Sequence, residues 1–210
     1  AVRWNHDAVA AGLSPHVERR MRQGGFLNGE ELFDNDAFHI SPVEAAAMDP
    51  QHRMLAERGY SALYEAGLRR SALEGTLTGV FLGIASTEFA QVLATAGAAA
   101  SAYTATGSSL AIASGRLSYV LGLHGPSVSC DTACSASLVS CHAARRALQI
   151  KECTICLVSG VMLMLAPAAS RNLALAGMTS ERGRSHTFDV RADGYARADA
   201  CASLVMQPVP

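Results

Sequence analysis

Four short segments limit what this chain can fold into. "TGVFLGI" (78–84), "TICLVSGV" (154–161) and "ACASLVMQP" (200–208) are apolar runs of strand length, and "PSVSCD" (126–131) alternates Val128 and Cys130 with serine. A strand that is apolar at successive positions is buried on both faces, so helices must cover the sheet from either side. The intervening segments supply them. In "SLAIASGRLSYVLGL" (109–123), Leu110, Ala113, Leu117 and Val120–Leu121 recur at helical spacing, and residues 134–149 form another helix. Upstream, Ser41 caps a helix, Pro42 suits its first position and Glu44 is placed to complete a capping box. Asp49-Pro50 ends that helix, because a residue before proline is biased away from helical geometry. A longer helix then runs from Pro50 to Glu65, with Met54, Leu55, Leu63 and Tyr64 on its apolar side and Gly67 closing it. Strand–helix–strand succession of this kind predicts an α/β fold with a largely buried sheet. The first forty residues, rich in Gly, Asn and Asp, read as an irregular surface segment, and the stretch 86–107 gives no clear reading.

At 210 residues, half of them hydrophobic, the chain is long enough for a substantial core. It shows no internal repeat, low-complexity linker or long charge block, so no domain boundary is visible and residues 1–210 read as one domain or a large piece of one. The net charge of -1 gives no basic excess and argues against a nucleic-acid partner. Six cysteines are too sparse for a small secreted disulfide scaffold, and most lie in apolar runs. That usage predicts reduced thiols in an intracellular, cytoplasmic protein. No secretory signal opens the chain, and its longest apolar stretch, "TICLVSGVMLMLAPAA" (154–169), is too short and interrupted for a membrane span. The chain begins without Met and stops at "LVMQPVP", so a clipped fragment is expected.

The segment that carries chemistry is "CDTACSASLVSCHAARRAL" (130–148). A strand ends near Asp131 and a helix starts at or just before Cys134, which puts this thiol at a strand-to-helix turn. Free amides and the helix dipole favour an anion there, and so favour a thiolate. The same amides can stabilise an oxyanion on an attacked thioester carbonyl. Ala133, Ser135, Ala136 and Ser137 are small enough to let a substrate approach, and the turn resembles a nucleophile elbow without the G-x-S-x-G pattern. Free cysteine is also among the most buried residue types, so local pattern leaves packing and catalysis both open for Cys134. Cys130, on the strand, and Cys141, two turns into the helix, read as packing residues. "CTIC" (153–156) is a C-x-x-C without the further ligands zinc needs; it opens an apolar strand, where packing explains it and no metal is assigned. Between Arg182 and Arg197, arginines mix with Asp189 and Asp193; a phosphate site and a salt-bridged loop both fit.

Longer motifs surround that segment. "GPSVSCDTACSASLVSCHAARRAL" resembles the active-site region of the β-ketoacyl synthases (ketosynthases), especially those of polyketide assembly. "FHISPVEAAAMDPQHRMLAERGYSALYEAG" resembles an upstream signature of that family, "TATGSSLAIASGRLSYVLGLHGPS" its run into the active site, and "AGMTSERGRSHTFDVRADGYARADA" a later segment. Together they cover nearly the whole chain in family order. His52 departs from the family, standing where Gln is usual.

The resemblance implies a thiolase-like fold in which this chain is the first of two similar α/β halves, a five-stranded mixed sheet packed between helices, paired as a homodimer. Residues 1–210 would then be a partial β-ketoacyl synthase domain, the N-terminal half carrying the nucleophilic cysteine. Cys134 matches the family's acyl-accepting residue, and a cysteine suits that role because its thioester stays electrophilic. The implied activity is acyl transfer from the phosphopantetheine arm of an acyl carrier protein to Cys134. Decarboxylative Claisen condensation with a malonyl-type extender would follow, in polyketide or fatty-acid biosynthesis. No cofactor is expected on the domain itself, since the carrier brings the phosphopantetheine. Two catalytic histidines are expected beyond Pro210, and none of the chain's seven is assigned a role. A non-catalytic ketosynthase-like protein, or a decarboxylase or thiolase on the same fold, are the alternatives.

Overall fold

The computed structural model describes residues 3–97 and 102–208. Residues 98–101, inside the stretch that gave no clear reading, lie outside the described part. The helices are α1 (His6–Ala10), α2 (Pro15–Met21), α3 (Pro42–Ala47), α4 (Pro50–Glu65), α5 (Arg70–Leu73), α6 (Glu88–Thr95), α7 (Thr104–Gly107), α8 (Leu110–Leu121), α9 (Ala136–Gln149) and α10 (Pro167–Leu175). The strands are β1 (Thr78–Gly83), β2 (Ser127–Cys130), β3 (Ile155–Met162) and β4 (Ala200–Met206). The chain divides into two compact units: residues 1–28, 88–97 and 163–199, and residues 29–87, 98–162 and 200–210.

The second unit holds a mixed sheet of order β2-β1-β3-β4, parallel except for β4, which runs antiparallel to β3. Four strands, not the expected five, are present among the described residues; the described residues before β1 form helices and loops. Every residue of β1 is buried, as its unbroken apolar run requires. On one face, Leu55 and Leu63 of α4 and Leu117 and Leu121 of α8 pack with Val80, Leu82 and Leu157 of the sheet. On the other, α9 sets Ala144 and Ala147 against Phe81, Cys156 and Val158. These alanines let the helix lie close to the sheet.

The helix boundaries follow from capping. Ser41 accepts the Glu44 amide at 3.2 Å, but the Glu44 carboxylate completes no capping box; it pairs with Arg116 of α8 instead. Asp49 accepts the Gln51 amide at 2.8 Å and so starts α4 where α3 has stopped. Along α4 the buried positions are Pro50, Gln51, His52, Leu55, Ala56, Gly59 and Leu63, while Met54 is half-buried and Tyr64 exposed. The apolar face therefore lies beside the one expected, rotated toward His52 and Gly59.

The first unit corrects the reading of the opening segment as irregular. It contains α1, capped by Asn5, and α2, capped by Ser14 with Pro15 at its first position. Helices this short carry no apolar period, so only the caps announce them. Two buried carboxylates organise the loops here. Asp199 accepts the amides of Met164 and Leu27 and pairs with Arg3 at 2.7 Å, and Glu88 accepts the amides of Leu165 and Ala166 just before α10. The arginine-rich loop is salt-bridged, with Arg191 on Asp189 at 2.7 Å, Arg182 near Asp193 at 3.7 Å and Arg19 on Glu181 at 2.8 Å. Among the described residues, no helix is long and apolar enough to cross a membrane.

His52 is 2% exposed and neither ring nitrogen has a hydrogen-bond partner among the described residues. Burial, helped by nearby Arg116, lowers its pKa from the ordinary 6.5 to about 4. The unfolded chain thus binds a proton that folded His52 refuses, so stability is full above about 6.5 and falls as pH drops toward about 4. The full loss is about 3 kcal/mol. Replacing His52→Gln should flatten this acid limb, read as the urea midpoint against pH from 7 to 4; an unchanged slope would show that His52 contributes nothing to it.

Candidate active site

β2 ends at Cys130, and α9 begins at Ala136; a single 3-10 turn, Ala133–Ser135, joins strand end to helix start. Ala133 holds φ at +52°, the left-handed region that a residue with a Cβ seldom enters. The turn is braced from both sides. The Ala133 amide donates to Asp131 Oδ1 at 3.0 Å, and the Ser135 hydroxyl donates to the Thr132 carbonyl at 2.8 Å. Cys134 follows the strained residue directly and is exposed.

The sheet beneath explains why α9 starts here. Gly83 of β1 and Gly160 of β3 are register partners. A Cβ on Gly83 would lie 2.5 Å from Ser137 N, and one on Gly160 would lie 2.1 Å from Ser137 Oγ. Two adjacent strands thus present a bare patch, and the first turn of α9 settles into it. The sequence reading passed over both glycines. Their signal was present, since a glycine inside an apolar strand marks a place where another backbone comes close.

A cavity of about 420 Å³ opens beside Cys134, walled by Ser137 and Cys141 of α9, Val161 and Met162 of β3, and Ala202 and Leu204 of β4. The expected packing role of Cys141 is half the picture: it packs under α9 and also lines this cavity. Cys130 is half-buried at the end of β2. The deeper thiols are held protonated. Burial pushes Cys201 up to about 11, and burial together with the neighbouring Cys153 thiol pushes Cys156 up as well. His124 and His142 are exposed and His186 half-buried, and none of the three lines the cavity.

Cys153 and Cys156 are both buried, as the packing reading requires. Strand alternation, however, does not separate them: Cys153 precedes β3, and the turn there brings the two Sγ atoms to 3.1 Å. No cluster of three or more His, Cys, Asp or Glu side chains suited to a metal ion occurs among the described residues.

Comparison with known proteins defines the class. Residues 1–209 match the family profile described as the β-ketoacyl synthase N-terminal domain. The chain is 42% identical over 184 residues to the mycocerosic acid synthase-like polyketide synthase of Mycolicibacterium smegmatis, an overlap of 88% of this chain and 9% of that protein. It is 40% identical over 193 residues to the non-reducing polyketide synthase olcA of Penicillium canescens, covering 91% of this chain and 8% of that protein. The chain therefore spans roughly a tenth of the length of these relatives. In structure it resembles the ketosynthase from module 6 of the bacillaene synthase of Bacillus subtilis 168, with a TM-score of 0.88 and 38% identity. That match takes in 99% of this chain and 34% of the solved one. The fold is thus thiolase-like. The chain belongs to the β-ketoacyl synthase family and matches its N-terminal domain.

The glycine patch can be tested directly. Gly83→Ala should destabilise the protein by about 1–3 kcal/mol or more, since the new methyl meets backbone atoms that cannot rotate away. Gly115→Ala, inside α8 with nothing within 4 Å of the added carbon, should be neutral or stabilising by up to about 1 kcal/mol. Urea unfolding of the two variants checks the contrast; equal stabilities would contradict the close approach.

Proposed function

We propose that this chain is the nucleophile-bearing half of a ketosynthase acting in polyketide assembly, and that Cys134 is its acyl-accepting residue. The observation that carries this reading is the position of Cys134: an exposed thiol in the turn ahead of α9, opening on an apolar cavity. The deeper thiols offer no such nucleophile, since Cys156 and Cys201 stay protonated at neutral pH.

The chemistry runs in two stages. In the first, the Cys134 thiolate adds to the thioester carbonyl of an acyl group on a carrier protein's phosphopantetheine arm. The tetrahedral oxyanion collapses, the arm's thiol leaves, and the acyl group rests on Cys134. Amides at the start of a helix favour both anions involved, the thiolate and the oxyanion. The cavity beside Cys134 gives the acyl chain an apolar place to lie. In the second stage, a malonyl-type extender on a carrier loses carbon dioxide, and the resulting carbanion attacks the Cys134 thioester. The chain passes to the carrier as a β-ketoacyl thioester longer by two backbone carbons, and the Cys134 thiolate is regenerated. No step calls for a cofactor on this domain. The partners under this reading are an acyl carrier protein, its acyl and malonyl-type thioesters, and a second copy of the protein as a homodimer.

Acyl loading tests the assignment. Incubated with an acyl thioester, the full protein should gain one acyl mass, which fragmentation places on Cys134, and Cys134→Ala should gain none. Loading on Cys130 or Cys141 would overturn the assignment. A wild type that loads but releases no β-ketoacyl product from carrier-bound extender would favour a decarboxylase or thiolase on the same fold.

A further inference from the structure

Cys153 and Cys156 have no part in the chemistry above, yet the fold sets them face to face. Cys153 lies in the turn after α9 and Cys156 is the second residue of β3; they are 3% and 0% exposed. Their Sγ atoms are 3.1 Å apart, about 1 Å beyond the ~2.05 Å of a disulfide bond. The Cys156 thiol also lies 3.5 Å from the carbonyl oxygen of Ala144, to which it donates, in the middle of α9.

We propose that Cys153 and Cys156 form a redox-active dithiol that peroxide closes to an intramolecular disulfide and a small-molecule thiol reopens. The steps balance. One thiol takes an oxygen from hydrogen peroxide, giving a sulfenic acid and one water; the facing thiol then attacks that sulfur, the S–S bond forms and a second water leaves. Two thiols lose two electrons in all, and the peroxide O–O bond receives them. Reduction returns both thiols as the added dithiol becomes a disulfide. Burial governs the first step, because a protonated, enclosed thiol reacts only when the segment opens locally. Proximity governs the second, because the resolving sulfur is already in place. Cys134 differs on both counts, being exposed and without a thiol in contact among the described residues. With no resolving thiol, its sulfenic acid is reduced by an added thiol at low peroxide, and excess peroxide carries it on to sulfinic and sulfonic acids that a thiol does not reverse. Closing the pair also removes the S–H that Cys156 offers to Ala144, and so a tie between β3 and the helix that begins just after Cys134.

Trypsin isolates the pair, since cleavage after Lys151 and Arg171 leaves a peptide, Glu152–Arg171, whose only cysteines are Cys153 and Cys156. The full protein is treated with hydrogen peroxide, alkylated in denaturant and digested. The peptide should then weigh two hydrogens less than its reduced form and carry no alkyl group. With dithiothreitol added before alkylation it should carry two, while Cys134 over-oxidised to sulfinic or sulfonic acid by excess peroxide stays blocked. In Cys153→Ser, Cys156 should form no bond within this peptide. A doubly alkylated wild-type peptide at peroxide doses that oxidise Cys134, or Cys156 linked to Cys141, would overturn the proposal.

Discussion

The seating of α9 on Gly83 and Gly160 is the contact on which the site depends. Ser137 reaches so close to both strands that a single Cβ at either glycine would overlap it. Most core contacts tolerate small shifts, because a side chain can change rotamer to absorb them. At Gly83 one side is the backbone of Ala136 and Ser137 and the other has no side chain at all, so the spacing there has no such slack. Ala136, buried at the head of the helix, and Ala144 and Ala147, buried further along, keep the rest of α9 equally close. The close approach carries no polar penalty at these three alanines, since their side chains bury no unpaired group. The position of Cys134 is thus set by what the neighbouring residues lack.

That seating also accounts for the strain one residue earlier. β2 must end, reverse its course and deliver a helix onto the glycine patch within the few residues from Cys130 to Ala136, and Ala133 takes up the left-handed conformation that this demands. Such a conformation in a residue with a Cβ costs about 1–3 kcal/mol. Hydrogen bonds contribute about 0.5–1.5 kcal/mol each, so the braces from Asp131 and Ser135 are of the same size as the strain they oppose. The turn holds because strand, glycine patch and local hydrogen bonds agree on one geometry.

These features differ in how far they can be read without coordinates. All four strands fall where the sequence places them: β1, buried throughout, carries an unbroken apolar signal, β2 alternates with serine, and β4 is an apolar run although none of its residues is fully buried. α4 begins and ends at the residues its proline, cap and closing glycine indicate, yet its buried face lies beside the expected one. Boundaries are local events, whereas the choice between Tyr64 and His52 as the buried residue is made by α8 and the sheet. α10 escaped notice for a related reason: its opening proline lies in an apolar stretch that reads as the tail of β3. Cys134 could be singled out from its place between strand and helix, but the cavity beside it is built from β3 and β4, whose pairing no local pattern states. The same holds for Cys153 and Cys156, which a turn before β3 brings together.

Cysteine thus occupies three kinds of environment in this fold, and depth separates them. Where the thiol is enclosed, as in Cys201, burial favours the neutral form, and the side chain is a small hydrophobe. Where two enclosed thiols touch, as in Cys153 and Cys156, the neighbour supplies a reaction partner that water and solutes cannot. At the turn ahead of α9, Cys134, the one exposed cysteine among the described residues, combines access to solvent with an adjoining apolar cavity. A nucleophile that must accept a long acyl group needs both at once. Under the proposed function, the exposed side would admit a carrier-bound thioester and the apolar side would hold the acyl group it leaves behind. The strand-to-helix turn satisfies the two demands together, because it lifts Cys134 above the edge of the sheet while the helix behind it stays pressed against Gly83 and Gly160.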